Sequence, residues 1–342
     1  MKRFALSVLT QPVLAPLLDR FTRSAAPILM LHRFADHEAG NAGHDVAALR
    51  ANLAFLRRRR FEVLPLSDVV ARLATGEPPL FKTVAFTVDD GYADFARIAA
   101  DAFAEFDCPV TVFVVTGFLD GHGTLWWDRI EIALARTRRS AAVLDLPTGP
   151  VRYAWSDALE RDRVRTDLVE RLKRVDDAAR EAALARLAAE LEVDLPATPP
   201  PAYGPMTWDD ARRCARRGVT FGPHTVTHPI LSRVDDRRAA GEIRDSWRRV
   251  REELPGSVPI FCYPNGDPDS FGAREQAILG ESGFAAAVTT VQEYATPEAF
   301  AADGAAGRFK VPRFPYFDDA PAFRQVVGGL ERAKRALRGR GR

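Results

Sequence analysis

The sequence predicts an α/β fold, a distorted (β/α) barrel whose strands run parallel and whose helices lie outside. Two observations carry this. Short apolar runs rich in β-formers, at 27–31, 84–88, 109–115, 218–222, 258–263 and 284–290, alternate with helical periodicity at 45–61, 95–106, 235–254 and 272–282. Strand-then-helix units repeated along one chain favour parallel pairing, with the helices as crossovers. Several residues able to do chemistry also directly follow strand-like runs, as they do at the C-terminal rim of barrels. With 342 residues the chain can bury a large core.

The elements follow in order. "MKRFALSVLTQPVLAPLLDRF" opens with two basic residues and an apolar stretch, but Thr10, Gln11 and Pro12 interrupt it. Leu14, Leu17, Leu18 and Phe21 fall at i, i+3, i+4, i+7, which predicts an amphipathic helix over 1–26 and a cytoplasmic protein. The alternative is an exported protein with an atypical N-terminal signal. "PILML" (27–31) is the first strand and ends at His32. Residues 45–61 place Val46, Leu49, Leu53 and Leu56 on one helical face, with a basic cluster at the end that the macrodipole favours. Residues 125–205 break the rhythm. They are rich in Arg, Glu, Ala and Leu, close with "LPATPPPAYGP", and read as a helical insertion within a catalytic domain spanning 27–325. The basic tail, 326–342, is expected to be a solvated, frayed end.

Charge and cysteines narrow the function. Lys plus Arg number 48 against 46 Asp plus Glu, a net +2 that gives no electrostatic case for nucleic acid as partner. No apolar run approaches the ~20 residues of a membrane span, which leaves peripheral membrane contact open. Cys108, Cys214 and Cys262 are odd in number, far apart and without a CxxC, so they suit a reducing compartment. Nothing in the sequence fixes the oligomeric state.

The chemistry gathers in two stretches. In "TVAFTVDDGYADF" (83–95) a strand-like run delivers two adjacent carboxylates, Asp89 and Asp90, before Gly91. Alternation relaxes at a strand end and glycine permits an unusual backbone, so both carboxylates can reach one site. Like charges that close repel unless a cation neutralises them. In "FGPHTVTHPIL" (221–231), His224 and His228 follow another strand-like run, and Pro229 places His228 in a loop rather than a helix. Two imidazoles and one carboxylate suit a divalent metal, zinc above all, with cobalt, nickel or iron(II) as alternatives.

"FTVDDG" followed by "HTVTHP" resembles the first two motifs of the NodB-type polysaccharide deacetylases, carbohydrate esterase family four. "FCYPNGD" (261–267) sits where the third motif belongs, and "PILMLHRF" and "LWWDR" resemble bacterial members. The resemblance covers roughly 27–320 and implies the NodB-homology fold, a distorted barrel of about seven strands. It implies a metal-dependent hydrolase that removes N-acetyl groups from amino sugars of a poly- or oligosaccharide, such as a bacterial exopolysaccharide, or of a glycolipid precursor. Asp89 becomes the general base, and Asp90, His224 and His228 the metal ligands. Tyr263, Asn265 and Gly266 would line the oxyanion side, and Trp127, with Trp126, offers a face for a sugar ring.

Two positions depart from the family pattern. Cys262 stands where the third motif normally carries an Arg, and Arg313 in "KVPRFPY" is the candidate substitute partner of Asp89. No His follows His228, so the C-terminal acid of the family is missing, and His32 is the candidate acid. These departures leave two other readings: an O-deacetylase on the same machinery, and a catalytically silent glycan-binding protein.

Overall fold

The apolar runs assemble into one parallel sheet that curls toward a ring. The computed structural model describes residues 18–146 and 149–339. Its strands are β1 (Ile28–Leu31), β2 (Glu62–Val63), β3 (Thr83–Val88), β4 (Thr111–Val114), β5 (Ala141–Leu146), β6 (Gly149–Ala154), β7 (Thr220–Pro223), β8 (Ile260–Cys262), β9 (Ala286–Val288) and β10 (Phe314–Pro315). The main sheet runs β10-β1-β3-β4-β7, and β2 pairs with the opening of β3. β8 and β9 form a separate parallel pair. Hydrogen bonds bridge the gaps. Val258 N–H, just before β8, donates to Phe221 O of β7 at 2.8 Å, and Val311 N–H, just before β10, donates to Ala287 O of β9 at 2.9 Å. The result is an irregular ring of seven strands, β1, β3, β4, β7, β8, β9 and β10, with helices outside, as the sequence predicts. β3 is buried along its whole length, which explains a run with no polar alternation.

On the outer side, α1 (Val46–Arg58) starts at Asp45, whose carboxylate accepts the Ala47 N–H, and buries Leu49, Leu53 and Leu56. α2 (Leu66–Thr75) ends at Gly76, which takes a left-handed φ of 75°. The stretch 95–106 begins as a π-helical turn, Phe95–Ala99, and continues as α3 (Ala100–Glu105).

Residues 126–190 form a subdomain with its own apolar cluster, which includes Trp126, Ile130, Leu144, Trp155, Leu168 and Leu184. It holds α4 (Trp126–Arg136), α5 (Ala158–Leu172) and α6 (Asp177–Glu190). It also holds the antiparallel hairpin β5–β6, where the sequence suggests helices alone. The burial of β5 alternates strictly, with its inner face on α6, but "AAVLDL" has too short and Ala/Leu-rich a pattern to reveal a strand. The chain then returns to the ring through α7 (Trp208–Ala215), α8 (Asp236–Glu253) and α9 (Ala273–Glu281).

The C-terminus corrects an expectation. After α10 (Ala320–Val327), α11 (Leu330–Gly339) docks instead of fraying. Leu330 and Ala333 are buried. Arg332 donates to the carbonyls of Phe21 and Arg23, and Arg335 pairs with Glu293 and Glu331. Basic residues that looked free are anchors for the edge of the barrel. The helix expected over 1–26 lies mostly outside the described residues, and Asp19–Thr22 is a single 3-10 turn. Among the described residues no helix is long and apolar enough to cross a membrane.

Leu168 is fully buried in the cluster of the insertion, while Leu159 on the same helix is exposed. Leu168→Ala should cost about 2–5 kcal/mol in urea unfolding. Leu159→Ala should cost about 0.5 kcal/mol or less. Equal effects would contradict an independent core there.

Candidate active site

The ring positions the reactive groups by register. Leu31 pairs with Val88, so His32 and Asp89 leave neighbouring strands at the same level. Val114 pairs with Pro223, and His224 N–H extends that ladder to Val114 O at 2.9 Å. The turn after β3 then brings two adjacent carboxylates to one place. Asp90 takes a φ of 74° and Gly91 a φ of 88°, both left-handed. The left-handed φ favours glycine at 91, and a Cβ there would also crowd Leu119 Cδ1 at 2.9 Å and Val114 Cγ1 at 3.1 Å. Thr225 and His228 are also left-handed, at 68° and 56°, and His228 N–H donates to Thr225 Oγ1 at 3.0 Å. Non-glycine residues rarely adopt this conformation, and its concentration here marks a loop shaped for its side chains.

Asp90, His224 and His228 converge. Asp90 Oδ1 lies 3.5 Å from His224 Nε2 and 3.7 Å from His228 Nε2, and the two Nε2 atoms are 3.1 Å apart. Donors at 2.0–2.1 Å from one tetrahedral ion would stand about 3.3–3.4 Å apart, so this triangle fits zinc or an ion of similar size. His224 Nδ1–H donates to Cys262 O at 2.8 Å, which turns its Nε2 lone pair toward the triangle. Burial first, and then the neighbouring His224, push His228 down to about 3, so it is neutral at ordinary pH. Two ring nitrogens at 3.1 Å need a proton or a cation between them. All three residues are buried, and the group is one of two in the described residues able to hold a metal; the other, Asp89 with His224 and Cys262, shares His224.

Asp89 has a different partner. Arg313 grips it with two hydrogen bonds, Nη1 to Oδ1 and Nη2 to Oδ2, each 2.8 Å. The guanidinium is wholly buried and also donates to Thr289 O and Thr87 Oγ1, each at 3.0 Å. Burial alone would raise the Asp89 pKa, but Arg313 overrides it and holds the carboxyl well below the usual range. Cys262 Sγ lies 3.5 Å from Asp89 and 3.3 Å from Arg313, so the position that departs from the family pattern touches both partners. His32 Nε2 is 3.8 Å from Asp89 Oδ2, on a half-exposed side chain.

These groups open into a cleft of about 830 Å³ that Trp127, Tyr263 and Asn265 also line. Trp127 and His228 meet in a T-shaped contact with ring centres 4.5 Å apart, and Tyr263 stacks on Phe271 at 4.0 Å. Gly266 departs from expectation. It is not in the cleft lining, and its N–H turns to Pro264 O at 2.7 Å. A Cβ there would meet Thr290 N at 3.0 Å, so its duty is to let the loop close against Thr290.

Three cleft residues, Tyr92, Asp128 and Arg33, escaped the sequence reading. Tyr92 donates to Asp128 at 2.7 Å and accepts from Trp127 Nε1–H at 3.0 Å. Burial pushes the Asp128 carboxyl up to about 8, against the Tyr92 hydrogen bond that favours its charged form. Arg33 lies over the Tyr92 ring at 3.9 Å and pairs with Asp94 at 2.6 Å. The signal was present but unused: Tyr92 and Asp94 belong to "DDGYADF", and Asp128 closes "LWWD".

The model of the polysaccharide deacetylase family matches residues 76–280. No curated protein sequence matches significantly. Among solved structures, a deacetylase from Streptococcus pyogenes in complex with acetate superposes with a TM-score of 0.56 at 18% identity, over 90% of this chain and 99% of that one. IcaB from Ammonifex degensii gives 0.54 at 15%, over 90% and 97%. A de-N-acetylase from Aggregatibacter actinomycetemcomitans gives 0.55 at 12%, over 89% and 99%.

Arg313→Met should cost about 3–5 kcal/mol, because it strands a buried carboxylate. The sign with pH follows from the shift. The depressed Asp89 pKa adds stability above about pH 4, lost only as pH falls through the lower folded value. Without Arg313, burial raises that pKa, so the variant gains stability as pH falls. The deficit in urea unfolding should therefore be larger at pH 8 than at pH 5; a pH-independent deficit would sink the pairing.

Proposed function

This chain belongs to the polysaccharide deacetylase family, and from that premise we propose that it is a metal-dependent hydrolase removing N-acetyl groups from amino sugars. Its substrate would be a poly- or oligosaccharide, such as a bacterial exopolysaccharide, or a glycolipid precursor. The observation that carries the reading is the adjacency of two separately partnered carboxylates, Asp89 on Arg313 and Asp90 against His224 and His228. The likeness to a de-N-acetylase and to an acetate-bound deacetylase supports acetyl groups as the target.

The residues divide the work. Asp90, His224 and His228 would hold the divalent cation, zinc or a similar ion. Arg313 keeps Asp89 ionised and fixes both its oxygens. So acidic a carboxyl is a weak proton acceptor, and the arrangement needs what a bound cation supplies: a water of lowered pKa and a polarised acyl carbonyl. Asp89 accepts the proton of the attacking water. His32, on the open side of Asp89, gives a proton to the departing amine nitrogen. Trp127 and Tyr263 wall the sugar side of the cleft. A silent binding protein has no use for a buried, doubly gripped carboxylate beside a metal triangle, and that pair favours catalysis.

Asp89→Asn should lower acetate release from an N-acetylated oligosaccharide by at least about 10²-fold and leave metal content unchanged. His228→Ala should lose the metal by elemental analysis. His32→Ala should slow the amide by about 10²–10⁴-fold but barely affect an aryl acetate, whose leaving group needs no proton. An equal loss on both substrates would overturn the acid role.

A further inference from the structure

A second cavity, of about 360 Å³, lies where the insertion meets the barrel. The entry and first turn of α4, α6, and Val226 and Thr227 between the two histidines all line it. Trp126 lines both this cavity and the catalytic cleft. Nothing in the chemistry above uses it.

Its unpartnered hydrogen-bonding atoms are one-sided. Arg180 is 2% exposed. Its Nη2 donates to Asp177, but Nε and Nη1 have no partner. Trp126 Nε1 and Thr124 Oγ1 are also buried without partners. All four atoms can donate. Buried donors are nearly always satisfied in native proteins, so three neighbouring residues with the same deficit call for an acceptor-rich occupant.

The charged neighbours of Arg180 are largely committed to one another. Arg129 pairs with Glu181 at 2.6 Å, and Arg238 takes Asp177 Oδ2 at 2.6 Å, so Asp177 serves two guanidiniums. Glu242 lies 3.8 Å from Arg238, but it already accepts from the amides of Val226 and Thr227. Burial pushes Arg180 down to about 10, and Arg238 and Arg129 add to this while Glu181 opposes it. The guanidinium lies over the Trp126 ring, 5.0 Å from its centre.

We propose that this cavity binds a small oxyanion, a phosphate or carboxylate group, through Arg180, Thr124 and Trp126. Such a group accepts in several directions and matches the planar fork of arginine. A sugar hydroxyl donates as well as accepts and would satisfy the site less completely. The group has two sources with one chemistry: a free ion, or an acidic substituent on the glycan, reached around Trp126.

Calorimetric titration of inorganic phosphate into the metal-loaded full chain, at constant ionic strength with chloride as reference, tests this. It reads binding rather than deacetylation, so it can fail while the proposed function stands, and the reverse. Saturable binding is expected that survives Asp90→Asn and weakens at least tenfold in Arg180→Met. Thr124→Val, nearly isosteric, should weaken it at least threefold and carries the test if Arg180→Met does not fold. Binding lost in Asp90→Asn but kept in both cavity variants would place the ion on the catalytic metal and overturn the proposal. So would a response no larger than that of chloride. Displacement of phosphate by a glucuronate-bearing oligosaccharide, but not by a neutral one, supports the site with the substrate as its source. Displacement by neither supports it with a free ion.

Discussion

The buried pair of Asp89 and Arg313 is the interaction on which the rest of the site depends. The two residues are 224 positions apart in sequence and meet only because the ring closes. β10 must lie beside β1, and the segment before it beside β9, for the guanidinium to reach Asp89, Thr87 and Thr289 together. Each link is weak evidence for a fold alone. Together they give Asp89 a cation that cannot leave, and only then can its neighbour Asp90 turn to a different partner. Two carboxylates side by side are tolerable when each has its own partner: Arg313 for Asp89, and the two imidazoles, with the cation they would share, for Asp90.

The backbone between them stores the cost of that arrangement. Left-handed conformations at Asp90, Gly91, Thr225 and His228 are clustered in two loops that face each other. Hydrogen bonds from flanking loops hold them: Val115 N–H to Asp90 O, Met206 N–H to Gly91 O, Thr116 N–H to Thr225 O and Gly117 N–H to Val226 O. The scaffold fixes the strained conformations from both sides, and with them the donor triangle.

What could be read from sequence was what is local. The Asp pair after a strand and the His pair before a proline declare themselves within a dozen residues each, and the periodicity of strand and helix carries the barrel. Arg313 was reachable because a charge was missing from its usual place. Tyr92, Asp128 and Arg33 were not, because their meaning lies in one another: Tyr92 bridges Trp127 and Asp128 across the boundary between barrel and insertion. Periodicity also failed at the β5–β6 hairpin, whose first strand, Ala- and Leu-rich and only six residues long, shares the composition of the helices around it. It failed at α11 for another reason. A basic tail reads as solvated unless the carbonyls and glutamates that receive it are known, and these lie at Phe21, Arg23 and Glu293.

Cys262 explains why the guanidinium can come from elsewhere. A cysteine ends within van der Waals reach of Asp89, and burial keeps its thiol neutral. It therefore fills space without adding charge. An arginine at the same place would bring a second buried guanidinium to a single carboxylate, with desolvation uncompensated on one of them. The short side chain at 262 and the long one at 313 are thus one solution rather than two substitutions: the β8 position must stay small and neutral for the side chain just before β10 to occupy the interior. The same backbone at Cys262 lends its carbonyl to His224, so one residue both makes room for the partner of Asp89 and sets the ring nitrogen that faces Asp90. The two halves of the site are coupled through that residue, without contact between Arg313 and the donor triangle being required.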